Sequence, residues 1–266
     1  DYREDVQNIM IGSCQDGDMD VHEEVIKPNV VEFGADSVPS LKSLMKFIPA
    51  DKLWPPDWDV WQYWGLFYYN QFRRAKTELG DSLEAFIYNT QKYEALVVKE
   101  QIELLRQKKY QPVCSMYLYY WSDACPLMGS GLFDYYREPY QVYESMKAVY
   151  TEVLISLEWN EEPHVIGRPK KYIRGDQFAG KIWVTNDHFH SIPDAKIFWC
   201  ITDTEGNRVK EKTFTLDLRE DCAEVVDTIK WKIPEDYVGE YKISMCVEDG
   251  TGNILSRNST VIMATE

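Results

Sequence analysis

The chain has 266 residues, 44% of them hydrophobic, enough for one large domain or two ordinary ones around a substantial core. Its 29 basic residues against 44 acidic ones give a formal charge of −15, which repels phosphate backbones and anionic membranes and excludes nucleic acid as a natural partner. No run of about 18 apolar residues offers a membrane span, and the six cysteines, Cys14, Cys114, Cys125, Cys200, Cys222 and Cys246, lack the Cys-x-x-Cys spacing of a zinc ribbon or redox motif.

The chain opens on Asp1-Tyr2-Arg3-Glu4-Asp5, with no methionine and no signal peptide, and reads as a processed chain or an excised piece. Asp16-Gly17-Asp18-Met19-Asp20 begins like a calcium loop but lacks the rest of the twelve-residue pattern and its terminal glutamate, so no metal is expected there. Lys27-Pro28-Asn29-Val30-Val31-Glu32-Phe33-Gly34 then sets a breaker, β-branched residues and an acid at the end of a short strand. Barrel enzymes place their chemistry at such strand ends, which makes Glu32 the candidate nucleophile; a solvated strand-end carboxylate is the plain alternative.

Aromatic residues cluster between Trp54 and Tyr69 and between Tyr117 and Trp121. Flat amphipathic rings suit the faces of sugars, although most of these rings are expected to be core. Asp81, with Glu84 three residues on, spells a capping box, and Leu83, Phe86, Thr90, Tyr93, Val97 and Leu104 recur at helical steps, so a long amphipathic helix ending near Lys109 is predicted. Pro112 to Trp121 reads as a buried strand, and Tyr140 to Tyr150 as a second helix with Tyr140, Tyr143, Met146, Lys147 and Tyr150 on one face. Strand, helix, strand, helix is the unit of a parallel α/β sheet or barrel.

Beyond Thr151 the period changes to two, in Val153, Ile155, Leu157, in Phe178, Ile182, Val184, in Phe214, Leu216, Leu218 and in Tyr241, Ile243, Met245, Val247. Gly175-Asp176, Asn186-Asp187, Glu205-Gly206-Asn207 and Asp249-Gly250 punctuate seven or eight strands, which fits an immunoglobulin-like sandwich over 151–266, after a first domain over 1–150. His188-Phe189-His190 follows a turn and is discounted as a metal site, and Asn258-Ser259-Thr260 matches a glycosylation acceptor by pattern alone. No phosphate loop and no Gly-x-Ser-x-Gly elbow is present, and no cofactor is expected.

Val31-Glu32-Phe33-Gly34-Ala35-Asp36-Ser37-Val38-Pro39-Ser40-Leu41, Phe47-Ile48-Pro49, Leu53-Trp54-Pro55, Ser122-Asp123-Ala124-Cys125-Pro126 and Phe133-Asp134-Tyr135-Tyr136 follow one another in order. Together they resemble the C-terminal half of glycoside hydrolase family 2, in its β-mannosidase and exo-β-glucosaminidase branch. The segment from Tyr172 to Asp187 is similar to the start of the sandwich that follows the barrel in that branch, so the likeness runs from about Gly17 to the end.

The resemblance implies that 1–150 is the C-terminal portion of a (β/α)8 TIM barrel, with Glu32 ending the seventh strand as the nucleophile of a retaining glycosidase and the strand before Trp121 as the eighth. It implies β-linked glycosides as substrates, with Tyr119, Trp121, Asp123 and the loop histidine His22 as substrate-binding candidates. The family has a tryptophan where Tyr119 falls and an asparagine-aspartate pair where Ser122-Asp123 falls, so the sugar stays open. Retaining glycosidases need a second carboxyl, which the family carries on an Asn-Glu pair well upstream of the nucleophile. Asn160-Glu161 lies after the eighth strand, at the entry to the sandwich, and is a decoy. The acid/base is therefore expected in an N-terminal part of the enzyme that partners this piece, which alone should be inactive. A secreted, periplasmic or lysosomal setting is favoured over the cytoplasm. The rival reading is a non-catalytic carbohydrate-binding or structural sandwich with a barrel remnant.

Overall fold

A computed structural model describes residues 28–65, 78, 80–159 and 170–266. His22, the Asp16 to Asp20 segment, Cys14, the Asn160-Glu161 pair and the last aromatics of the Trp54 to Tyr69 cluster lie outside the described residues. The chain forms two compact units. Of the described residues, 28–102 and 111–147 contribute to the first, and 103–110, 148–159 and 170–266 to the second.

In the first unit, strands β1 (Asn29–Phe33) and β2 (Ser115–Leu118) pair in parallel, Asn29 opposite Ser115 and Phe33 opposite Leu118. Parallel neighbours need a long crossover, and here it carries α1 (Leu41–Leu44), a 3-10 turn (Ala50–Lys52), α2 (Trp58–Tyr63) and α3 (Leu83–Gln107). After β2 comes α4 (Gln141–Val149).

The helix starts follow capping chemistry. The Ser40 hydroxyl accepts from Ser43 N at α1, and the Asp57 carboxylate accepts from Val60 N at α2. At α3 the cap is Ser82, whose hydroxyl accepts from Ala85 N at 3.2 Å, and not the expected Asp81. Because the helix begins at Leu83, Ala85 occupies the third helical position, where the proposed box needed Glu84.

Leu83, Phe86, Thr90, Tyr93 and Val97 are buried as the periodicity predicts. Trp61 is fully buried, donates its indole N–H to Lys52 O at 2.9 Å and packs 5.5 Å from Phe86, on which Trp54 and Trp58 also lean. Trp61 is core, but Trp54, Trp58, Tyr63, Tyr117, Tyr119 and Trp121 are exposed, against the expectation that most of these rings are core. Two further readings need correction. β2 is shorter than the predicted strand and half-exposed rather than buried, since among the described residues only β1 pairs with it. In α4 the buried positions are Val142 and Val149, beside Tyr140, while Lys147 and Tyr150 are exposed.

The second unit is a β-sandwich. β3 (Val153–Trp159), β5 (Gln177–Asn186) and β8 (Cys222–Lys232) form one sheet. β4 (Lys170–Ile173), β10 (Ile254–Thr265), β9 (Gly239–Glu248), β6 (Ile192–Thr202) and β7 (Arg208–Leu218) form the other, in that order. All pairings are antiparallel except β4 with β10. The alternating residues of both sheets meet in one core, including Ile155, Phe178, Ile182, Trp199, Ile229, Tyr241, Ile243 and Ile262.

Residues 103–110 cluster with this sandwich because of a polar network. The Arg106 guanidinium, 5% exposed, donates to Val149 O at 3.0 Å and to Asp187 Oδ2 at 2.8 Å. Lys109 Nζ lies 2.7 Å from both Asp187 and Asp221, and Gln107 donates to Ser156 Oγ at 3.0 Å. On the edge of β3 away from β5, Ile155 N donates to Ser256 Oγ at 3.0 Å, and the Asn258 amide donates to Ile155 O at 2.8 Å and to Glu103 Oε1 at 2.7 Å. Two side chains thus do what a neighbouring strand would do for an open edge. The same Asn258 nitrogen is the acceptor atom of the glycosylation pattern, and it is engaged twice.

Asn258→Ala removes both donations and leaves the buried Ile155 carbonyl without its donor. A loss of about 1–3 kcal/mol is expected, read as a lower Tm in thermal unfolding; an unchanged Tm would show that the edge is held by something else.

Candidate active site

The site is built where β1 and β2 end. Val30 and Phe33 are both buried because the pairing of β1 with β2 shifts register between them, and Glu32, within that irregularity, is left half-exposed. Tyr119 N donates to Phe33 O at 2.9 Å, so the residues following β2 run beside those following β1. Gly34 makes that approach possible: a Cβ there would sit 3.1 Å from the Tyr119 carbonyl oxygen, and its φ is +156°. The Tyr119–Tyr120 peptide is cis. Tyr119 is 41% and Trp121 68% exposed, and the Trp121 ring packs on Phe133 at 5.6 Å. Glu32, Tyr119 and Trp121 therefore belong to two adjacent strand ends.

Asp123 is placed differently from a substrate contact. It is 2% exposed, accepting from Gly131 N at 3.1 Å and from the Tyr140 hydroxyl at 2.8 Å. Gly129 and Gly131 make room for it, since a Cβ on Gly131 would stand 2.8 Å from Asp123 Oδ1 and one on Gly129 closer still. Burial pushes its carboxyl up to about 6, against the lowering effect of the Tyr140 hydrogen bond.

Behind the strand ends lies a set of acids that the sequence reading did not single out. Asp36 is 8% exposed, accepts from the Ser130 hydroxyl and is likewise pushed up to about 6 by burial. Ser37 N donates to Gly129 O at 2.9 Å, while the Ser37 hydroxyl donates to Glu94 Oε2 at 2.6 Å. Glu94 is fully buried, and desolvation, with Asp36 and Asp123 nearby, raises it well above the ordinary carboxyl range. One signal was legible: Thr90, Glu94 and Val97 share a helix face, so an acid sits on the apolar side of α3.

His188 and His190 stack with ring centroids 4.8 Å apart in the turn after β5. Among the described residues no group of three or more His, Cys, Asp or Glu is placed to hold a metal, and no helix is long and apolar enough to cross a membrane. Cys114, Cys125, Cys200, Cys222 and Cys246 are free thiols.

Asp36 and Asp123 tie stability to pH. An acid that keeps its proton to about pH 6 when folded, but ionises near 3.8 when unfolded, binds more protons in the folded state between those values. Stability is then full below about pH 4, falls by about 1.4 kcal/mol per pH unit for each group, and levels off above about pH 6. In melts from pH 4 to 7, Asp36→Asn is expected to flatten this decline; an unaltered slope would refute the assignment.

No family model and no curated protein matches the chain. Solved structures do. A β-D-mannosidase from Dictyoglomus thermophilum superposes with a TM-score of 0.70 at 16% identity, over 88% of this chain and 27% of that one. The exo-chitosanase CsxA from Amycolatopsis orientalis gives 0.64 at 15% identity, again over 88% and 27%, and a second structure of CsxA, described as an exo-β-D-glucosaminidase, gives 0.64 at 14%, over 87% and 27%. The chain spans about 27% of the length of these exo-glycosidases, and over that span it has their fold.

Proposed function

We propose that this chain supplies the C-terminal part of the catalytic (β/α)8 barrel, and the immunoglobulin-like sandwich after it, of a retaining exo-β-glycosidase. The observation that carries this reading is Glu32, half-exposed at the end of β1 and flanked by the end of β2 with its exposed Tyr119 and Trp121. Its substrates are terminal β-linked sugars of oligosaccharides or simple glycosides. An enzyme trimming such chains would meet them in a secreted, periplasmic or lysosomal compartment.

In this mechanism a Glu32 oxygen attacks the anomeric carbon as the glycosidic bond breaks, and the departing oxygen takes a proton from a second carboxyl about 5 Å away. That carboxyl then removes a proton from water, whose oxygen displaces Glu32 and frees the sugar with its configuration retained. The second carboxyl belongs to the N-terminal part of the enzyme, so these 266 residues alone are expected to be inactive. Tyr119 and Trp121 offer faces for the sugar. Asp123, its oxygens committed to Gly131 and Tyr140, orders the β2 loop from behind.

In the complete enzyme, a 2-fluoro-glycoside inactivator is expected to label Glu32 covalently, read by peptide mass, and Glu32→Gln to lower kcat on the order of 10^4-fold or more. Labelling of another residue would remove the assignment and favour the non-catalytic sandwich reading. Trp121→Ala is expected to raise KM about 5–10-fold, the worth of one ring contact, with kcat nearly unchanged; an unchanged KM would take Trp121 out of the sugar site.

A further inference from the structure

We propose that Glu94 of α3 is a positioning residue for Glu32, acting through its hydrogen bond to Ser37. The proposal rests on the reading of Glu32 as nucleophile and adds to it a second residue, far along the chain, that touches no substrate.

The loop after β1 is fixed to α3 at three points within two of its residues. The Ser37 hydroxyl donates to Glu94 Oε2 at 2.6 Å. Val38 N donates to Thr90 Oγ1 at 3.3 Å, and Val38 O accepts from the Gln91 amide at 2.8 Å. Gln91 is itself held, since its Oε1 accepts from Gln141 N at 3.2 Å. Thr90, Gln91 and Glu94 lie within five consecutive residues of one helix, so they act as one rigid bracket. The bracketed residues follow Glu32 by five and six positions, and the chain between them is pinned twice more, by Ser37 N to Gly129 O and by Phe33 O to Tyr119 N. Ser37 and Val38 are completely buried, which leaves the bracket little slack.

The group chosen for this bracket is otherwise hard to explain. A buried carboxyl is costly on a helix face that Val97, Val98 and Ile102 make apolar. Glu94 faces two further acids, Asp36 and Asp123, with the Tyr140 hydroxyl also within its electrostatic reach, and no base is among the causes of its shift. Its burial favours the neutral acid. In that form it accepts the Ser37 hydroxyl without adding a negative charge behind the strand that carries the nucleophile. Its second oxygen has no protein partner among the described residues, so Ser37 is the contact through which it acts.

The test uses the complete enzyme and measures kcat, KM, Tm and the rate at which a 2-fluoro-glycoside labels Glu32. Glu94→Gln keeps a carbonyl oxygen for Ser37 and has no charge at any pH, so kcat and labelling are expected within about twofold of wild type, as for a mimic of the neutral acid. Glu94→Ala frees the loop and is expected to lower kcat and labelling together by about 10–100-fold, the scale of an ångström-sized misplacement, with KM within about twofold. Should Glu94→Ala fail to fold, Ser37→Ala removes the same hydrogen bond from the loop side and carries the same expectation. A Glu94→Ala or Ser37→Ala enzyme that melts lower yet labels at the wild-type rate overturns the proposal, leaving a structural residue only. So does a Glu94→Gln enzyme as slow as Glu94→Ala. Wild-type enzyme that is not labelled at Glu32 overturns the nucleophile assignment instead, and the two failures are thereby distinguished.

Discussion

The register of β1 is the constraint on which the site depends. Side chains on a strand alternate, so the residue before Phe33 points to the opposite face, and Phe33 is completely buried while Glu32 reaches solvent. A slip of one residue would carry the carboxylate into the core and the phenyl ring into water, a loss of several kcal/mol from burial and desolvation together. Parallel pairing with β2 shifts register between Val30 and Phe33, so that both enter the core while Glu32 between them reaches solvent, and the bond from Tyr119 N to Phe33 O holds the chain just past the strand ends. Gly34 is what lets the second chain come so close, because a side chain there would press on the Tyr119 carbonyl.

Behind this pairing the protein uses acids where most cores use hydrocarbons. An ionised carboxylate loses several kcal/mol on burial, more than the roughly 1–3 kcal/mol that one hydroxyl donor returns, so the neutral form wins at Glu94. Asp36 and Asp123, each raised to about 6 with one or two donors, stand closer to the balance point. Gly129 and Gly131 show how tightly the Asp123 carboxyl is fitted, since neither position has room for a Cβ.

What the sequence disclosed divides along physical lines. Local periodicity placed α3 and the interior residues of β3, β5 and β9 in phase, because a face that must be buried repeats at the spacing of its own backbone. The strand-end position of Glu32, Tyr119 and Trp121 was legible for the same reason. Contacts across the chain were not. Ser37 and Glu94 are 57 residues apart, and Asn258 and Ile155 are 103 apart, and no short window of sequence contains either pair. Asp123 was a substrate-binding candidate through the family resemblance alone, yet glycines six and eight residues later make room for its carboxyl in the interior. The shift of the α3 cap from Asp81 to Ser82 is of another kind: both residues can cap, and one residue of helix phase decides between them.

The neutral acids bear on the chemistry proposed for Glu32. A retaining glycosidase needs its nucleophile ionised, and like charges nearby would oppose that ionisation. Three carboxylates behind the ends of β1 and β2 would add such charges where the site can least tolerate them. Protonated acids, which Asp36 and Asp123 are below about pH 6, do not, and they keep the directional hydrogen bonds that an apolar core would lack. Burial therefore raises Asp36, Glu94 and Asp123 above the ordinary carboxyl range, so that in mildly acidic solution less negative charge stands behind the strand ends than three ordinary carboxylates would place there.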